Sequence, residues 1–361
     1  MAPIRLEQNT IDESDELRQR QNGLITISEY IFRRLSQLGI GSVFGVPGDF
    51  NLSLLDHIYS VRELNWIGCC NELNAAYAAD AYAKASKQMS ALLTTFGVGE
   101  LSAINGVAGA YSEFVPLVHI VGTSSLKEKE NSEPKNFHHL VANRKIYEKP
   151  NHYIYQNIAT NFSVSCASVN TDVESSCDEI DKTLEAIWEQ SRPGYIFVPC
   201  DLTEMPVNAS RLVEKPLQLK YTSKCTSDEV EQISNQILDS IYQSQNVSLL
   251  GDVFISKFRM NGVFGKFVNL LKEKVNFFDT PMSKGIIDES LSRFIGTYYG
   301  RAGDDRIADA IEASDLILRI GNFDNEINSG FFSARLPKDK TIDVNPQYIR
   351  IGNGPLFTNV T

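Results

Sequence analysis

Two α/β domains, each built on a parallel sheet covered by helices, are what this sequence predicts. Three observations lead there. From Thr26 onward, short apolar runs alternate with glycine-bearing turns and helical patterns, the rhythm of parallel strands joined by crossover helices. That rhythm breaks off near Pro199 and resumes after Cys225. A chain of 361 residues also exceeds what one hydrophobic core ordinarily supports.

Residues 1–22 combine many charges with few aromatic or β-branched side chains, which predicts a disordered tail. "TISEYIFRRLSQLG" then sets Ile27, Tyr30, Ile31 and Leu35 at helical spacing and stops at Gly39, as a helix C-terminus should. "SVFGV" leads through "PGDF" into the helix "NLSLLDHIY", and "WIGCC" leads into "NELNAAYAADAYAKAS". "ALLTTF" passes through "GVGE" into "LSAINGVAGAYSEF", and the strand "PLVHIVG" follows. Residues 123–153 interrupt the pattern with a polar insertion too long for a connector, and such loops are often functional. The helix "VESSCDEIDKTLEAIWEQS" and the strand "GYIFVP" close a first domain over 23–200.

Residues 201–225 hold two prolines and no clean period, which predicts a linker. A second domain, 226–361, opens with "SDEVEQISNQILDSIYQS" under a Ser227 cap. Its expected strands are "VSLLGD", "NFFDTP", "DLILRIG" and "KTIDV", around the helices "GVFGKFVNLLKEK" and "DDRIADAIEAS".

A net charge of −11 argues against nucleic acid or an anionic membrane as partner, since phosphate binding is driven by Lys and Arg. No run approaches the ~20 apolar residues of a membrane span. The polar, carboxylate-rich N-terminus lacks the apolar core of a secretory signal and the acid-poor character of a transit peptide, so a cytosolic location is expected. The six cysteines form no CxxC pair and no histidine sits at zinc-ligand spacing, which predicts reduced thiols rather than a metal site.

Three turns fall at expected strand C-termini, where open α/β sheets bind ligands. They are Gly45-Val46-Pro47-Gly48-Asp49, Asn71-Glu72 and Gly97-Val98-Gly99-Glu100. A dinucleotide fingerprint is not completed, because "GVGELS" has Ser102 where the third glycine belongs. Glu72 has two readings. As an acid in a first helical turn behind an Asn cap it complements the helix dipole; amid "WIGCC" and "LNAAYAA" its carboxyl would hold a proton near neutral pH for a ligand nitrogen. His138 and His139, in "NFHHL", are either solvated loop residues or acid–base groups. Asp49 suits a turn or a helix cap.

Taken together, "FGVPGDFNLSLLD", "NELNAAYAADAYA", "TTFGVGELSAINGVAGAYSE" and "HIVG" resemble the fungal thiamine-diphosphate-dependent 2-oxo acid decarboxylases, the pyruvate decarboxylase family. The resemblance spans roughly residues 26–361, with "TPMSKGIIDES" similar to the family's central domain. "NFHHLV" followed by "PNHYIY" resembles the branch acting on phenylpyruvate and other amino-acid-derived 2-oxo acids. The fold it implies is a pyrimidine-binding domain followed by a central Rossmann-like domain. The activity it implies is decarboxylation of phenylpyruvate, indolepyruvate, branched-chain 2-oxo acids or pyruvate to aldehydes. By this resemblance Glu72 hydrogen-bonds N1′ of the aminopyrimidine, and Pro47 and Val98 lie against that ring. Asp49, His138 and His139 line the substrate pocket and shuttle protons.

The family's diphosphate and Mg2+ site, marked by Gly-Asp-Gly and Asn-Asn, is not matched: "GDVF" at 251 and "GDD" at 303 lack the asparagines. The expectation is therefore half an active site, with no metal ligands of its own and no activity alone. The missing half would come from a third domain in a homo-oligomer, dimer or tetramer. The alternative is a non-catalytic paralogue that binds full-length subunits. Phe254-Ile255 stand where substrate-activated members carry a cysteine pair, so activation through that thiol is not expected.

Overall fold

The computed structural model describes residues 23–221 and 225–358. The tail expected over residues 1–22 lies outside them. The chain divides into two compact units, Met1–Leu219 and Lys220–Thr361.

The first unit is built on six parallel strands in the order β3-β2-β4-β5-β7-β6: β2 Ser42–Gly45, β3 Asn65–Gly68, β4 Ser90–Thr95, β5 Leu117–Thr123, β6 Cys166–Ser168 and β7 Gly194–Pro199. The inner strands β4, β5 and β7 are buried at every position, as near-continuous apolar runs require when both sheet faces are covered. On one face the helices Ile27–Gln37 and Val173–Gln190 bury Ile31, Leu35, Ile180 and Leu184. On the other, Glu72–Ser86 and Val98–Ser112 pack through Ala75, Ala76, Ala79, Ala103 and Val107. These small residues bring the two helices close enough that a Cβ on Gly106 would lie 2.7 Å from that of Ala76.

The second unit holds seven strands in the order β11-β10-β9-β12-β13-β14-β15. The first five, β11 Phe294–Thr297, β10 Asn276–Asp279, β9 Val247–Gly251, β12 Leu316–Ile320 and β13 Thr341–Asn345, are parallel. β14 Tyr348–Ile351 and β15 Leu356–Phe357 turn antiparallel at one edge. The α/β reading holds in both units.

Three expectations are corrected. Residues 201–219 are not a linker: β8 Pro206–Asn208 pairs antiparallel with β1 Leu24–Thr26, and Val207, Ala209 and Leu212 are buried in the first core. What holds this stretch is contact with residues about 180 positions earlier, such as Leu24 opposite Asn208, which leaves no local period. The cap of the helix Ser227–Gln243 is Thr226, whose side chain accepts the Glu229 N–H while Glu229 accepts the Thr226 N–H at 2.8 Å. The apolar run before Glu72 does not enclose it, because β3 is the edge strand, with Ile67, Gly68 and Cys70 exposed.

A buried ionic knot joins the returning segment to the first unit. Tyr30 donates its hydroxyl hydrogen to Asp181, whose carboxylate also accepts from Arg34 Nε and Nη2, both at 2.9 Å. Arg211 reaches Asp181 and the Tyr30 hydroxyl from the far side. Arg34 is completely buried and also donates to the carbonyls of Leu212 and Lys215.

Candidate active site

The three turns singled out in the sequence lie at the C-terminal ends of β2, β3 and β4, on one edge of the parallel sheet. After β2, the buried side chain of Asn51 braces the turn by accepting the Gly48 N–H at 2.9 Å and donating to the Val46 carbonyl at 3.1 Å. That brace leaves Pro47 and Asp49 exposed. Asp49 Oδ2 lies 2.9 Å from His138 Nε2, an ion pair when the imidazole is protonated. The His138 and His139 rings meet edge to face at 4.7 Å, and Phe50 packs on both, at 5.1 and 5.6 Å. Asp49, His138 and His139 are thus one cluster, assembled from two segments about 90 residues apart.

His139 adopts a left-handed backbone, φ 68°, which is uncommon outside glycine and needs support. Its carbonyl accepts the Tyr155 hydroxyl hydrogen at 2.9 Å, and Tyr155 in turn accepts the Val141 N–H. Its Nδ1 lies 3.4 Å from Thr95 Oγ1. Beneath it Gly97, φ 70°, has no room for a side chain: a Cβ would stand 2.1 Å from the His139 oxygen. Here glycine is required twice, by the backbone conformation and by the close approach.

Glu72 is the first residue of its helix, whose N-terminus is capped by Asn71 accepting the Leu73 N–H at 2.8 Å. It is half-buried, and the expectation of an acid sunk among apolar groups is not met within this unit, because the neighbouring edge strand is open. Its carboxylate is turned inward over the next turn, with Oε1 3.2 Å from where a Gly99 Cβ would sit. Thr95 touches the same position and that of Gly48, so Glu72, the two glycine turns and His139 converge on this threonine. Val98, 60% exposed, opens the following helix.

A buried acid with a displaced proton equilibrium is present, but it is Glu100. Burial pushes its carboxyl up to about 7, against the opposing pull of the Gly97 N–H and the Lys129 charge. Lys129, buried in the helix Leu126–Glu130, is pushed down to about 8 by the same desolvation, opposed by Asp201, Cys200 and Glu100, and donates to Thr123 Oγ1 at 2.7 Å. Sequence reading passed Glu100 over as part of an incomplete glycine fingerprint. The signal was its place three residues after Gly97, where a glutamate returns to the amide at the helix start.

This predicts a pH dependence. Because the folded-state value lies above the ordinary 4.5, the folded state retains the proton longer than the unfolded chain. The contribution is full below about 4.5 and is lost as pH rises to about 7, by on the order of 3 kcal/mol. Glu100→Gln, which cannot ionise, removes this decline; urea unfolding of both proteins between these limits checks it, and a pH-independent difference between them refutes it.

With this geometry in place, two family matches define the class. Residues 25–145 match the thiamine pyrophosphate enzyme N-terminal TPP binding domain, and residues 234–356 match the thiamine pyrophosphate enzyme central domain. The chain belongs to the thiamine pyrophosphate enzymes, of which it carries the N-terminal and central domains. Among its relatives, it is 37% identical over 376 residues to the transaminated amino acid decarboxylase of Saccharomyces cerevisiae, covering 100% of this chain and 59% of that protein. It is 36% identical to pyruvate decarboxylase isozyme 3 of the same yeast and 37% identical to the pyruvate decarboxylase of Candida glabrata, in each case covering 91% of this chain and 56% of the relative. The chain therefore spans less than two thirds of the length of these relatives. Among the described residues no helix is long and apolar enough to cross a membrane.

Proposed function

We propose that this chain contributes the pyrimidine-binding side of a thiamine-diphosphate-dependent decarboxylase that converts 2-oxo acids to aldehydes. Phenylpyruvate and related amino-acid-derived 2-oxo acids are the preferred substrates. The observation that carries the reading is the convergence on Thr95 of an inward-turned carboxylate, two glycine turns and a histidine cluster. Gly48 and Gly99 both bring their backbones close against Thr95, where an added Cβ would stand 3.1 and 2.9 Å from its side chain, so the two turns are drawn together beside Glu72.

In this reading Glu72 would hydrogen-bond a nitrogen of the cofactor's aminopyrimidine, and Pro47 and Val98 would line that ring. Thiamine diphosphate, when bound, supplies the electron sink for loss of carbon dioxide. The Asp49–His138 pair keeps an imidazole and a carboxylate in hydrogen-bond contact, so a proton taken from or given to substrate passes between them. His139, shielded by Phe50 and Phe96, presents a second imidazole. Mg2+ and the diphosphate would be held by a diphosphate-binding domain of the family's type, within a homo-oligomer. A reducing compartment, the cytosol, goes with this reading, since it would keep cysteines such as Cys69 and Cys177 as thiols.

Two tests follow. The 361-residue chain by itself should release no carbon dioxide from phenylpyruvate with thiamine diphosphate and Mg2+. In the enzyme completed with the diphosphate-binding domain, Glu72→Gln should slow exchange of the cofactor's C2 proton by about 10²–10⁴-fold, the usual worth of a placed acid–base group. Exchange at the unmodified rate would remove the role given to Glu72.

A further inference from the structure

Three features meet at one point. The Glu100 carboxylate accepts the Gly97 N–H at 2.9 Å in a buried setting. Gly97 lies directly under the His139 carbonyl, at a distance that admits no side chain. His139 holds an unfavourable φ while its ring sits against Phe50, Phe96 and His138. A backbone held away from its preferred region persists only where its surroundings over-determine it.

We propose that Glu100 is the positioning residue for His139: by holding the Gly97 amide it fixes the surface on which the His139 carbonyl is seated, and so sets where the imidazole lies. The inference deepens the site described above and rests on His139 belonging to it. The Tyr155 hydroxyl also holds this carbonyl, at 2.9 Å. Loosening the Gly97 turn leaves His139 tethered at one point and free to pivot about it.

The groups that face Glu100 come from three further elements. Lys129 approaches from the helix Leu126–Glu130, Tyr155 from the helix Ile154–Ala159 and Tyr195 from β7, and the charge of Glu100 acts on each. Lys129 is fixed by Thr123 at the end of β5 and lies 5.6 Å from the centre of the Tyr153 ring, so the nearest cation cannot swing away. The ionised carboxylate is the stronger acceptor for the Gly97 amide. The hold on the turn therefore tightens as Glu100 loses its proton.

The test needs neither cofactor nor substrate: nuclear magnetic resonance of the isolated chain, following the Gly97 amide and the His139 ring. In the unmodified chain the Gly97 amide proton should shift with a midpoint near 7. Glu100→Gln keeps an acceptor oxygen, so the His139 ring signals should stay in place while the Gly97 pH step disappears. Glu100→Ala removes the acceptor; the His139 signals should move, and exchange of the Gly97 amide with solvent should quicken at least ~10-fold, the worth of a hydrogen bond to a charged group.

His139 signals unmoved in Glu100→Ala, or moved as far by Glu100→Gln, would overturn the proposal. Should the alanine variant not fold, a Gly97 step that survives in Glu100→Gln does so by itself. Because no turnover is measured, this outcome is independent of whether the C2 exchange test supports the decarboxylase reading.

Discussion

Asp181→Ala should destabilise the first unit by about 3–5 kcal/mol, the cost of breaking a buried ion pair from one side. Asp181 is the common acceptor for Tyr30, Arg34 and Arg211. Arg34 is completely buried, and with the carboxylate gone it retains the Tyr30 hydroxyl, Gln37 and the carbonyls of Leu212 and Lys215, none of which carries a compensating negative charge. Its guanidinium would then be an uncompensated buried cation. Asp178, which binds Arg211 at the rim and is half exposed, provides the control: its replacement by alanine should change stability little. Urea denaturation of the two variants separates the cases. Equal midpoints for both would mean that the buried knot contributes no more than a surface pair.

Gly97→Ala is the second large effect. The methyl group would stand 2.1 Å from the His139 oxygen, inside any permitted contact, and the backbone at φ 70° and ψ −116° belongs to the territory of glycine. Backbone strain of this kind costs about 1–3 kcal/mol before the collision is counted. The structure escapes only by moving the His139 loop, so both stability and the position of the imidazole should suffer. Gly109, in the same helix as the Gly97 turn but exposed and with nothing within 4 Å of an added Cβ, should behave in the opposite way. Gly109→Ala should raise stability by about 0.5–1 kcal/mol through helix propensity. Thermal unfolding compares them directly, and a Gly97→Ala protein as stable as the parent would rule out the contact as drawn.

Much of the first sheet was legible in the residues themselves. "ALLTTF", "PLVHIVG" and "GYIFVP" are apolar on both sides of the strand, each is bounded by turn residues, and each became a buried inner strand. Identical logic misjudged "WIGCC", because the letters do not say which strand will lie at the edge, and an edge strand exposes what an inner one hides. The pairing of Leu24–Thr26 with Pro206–Asn208 was not legible either: each partner is three residues long, too short for a period.

In the site, the turns at 45–49, 71–72 and 97–100 were recognisable from strand-to-helix punctuation, and the structure brings Asp49 and the histidines together. The burial of Glu100 was hidden, since it follows from how the helix Val98–Ser112 faces the sheet and from Lys129 arriving out of a polar insertion. Side-chain composition describes that insertion as solvated; its tertiary path presses Lys129, Leu140 and His152 inward.

The return of residues 206–219 to the start of the chain has a consequence for how this protein may be divided. The polypeptide leaves its first unit alongside the place where it entered, so the two termini of that unit are stitched by a ribbon and by Arg211. A gene cut after residue 200 would open that seam, exposing Ile25 and Arg34 to water and orphaning Asp181 from one of its cations. A cut that keeps the seam whole falls at Leu219, the end of the first compact unit.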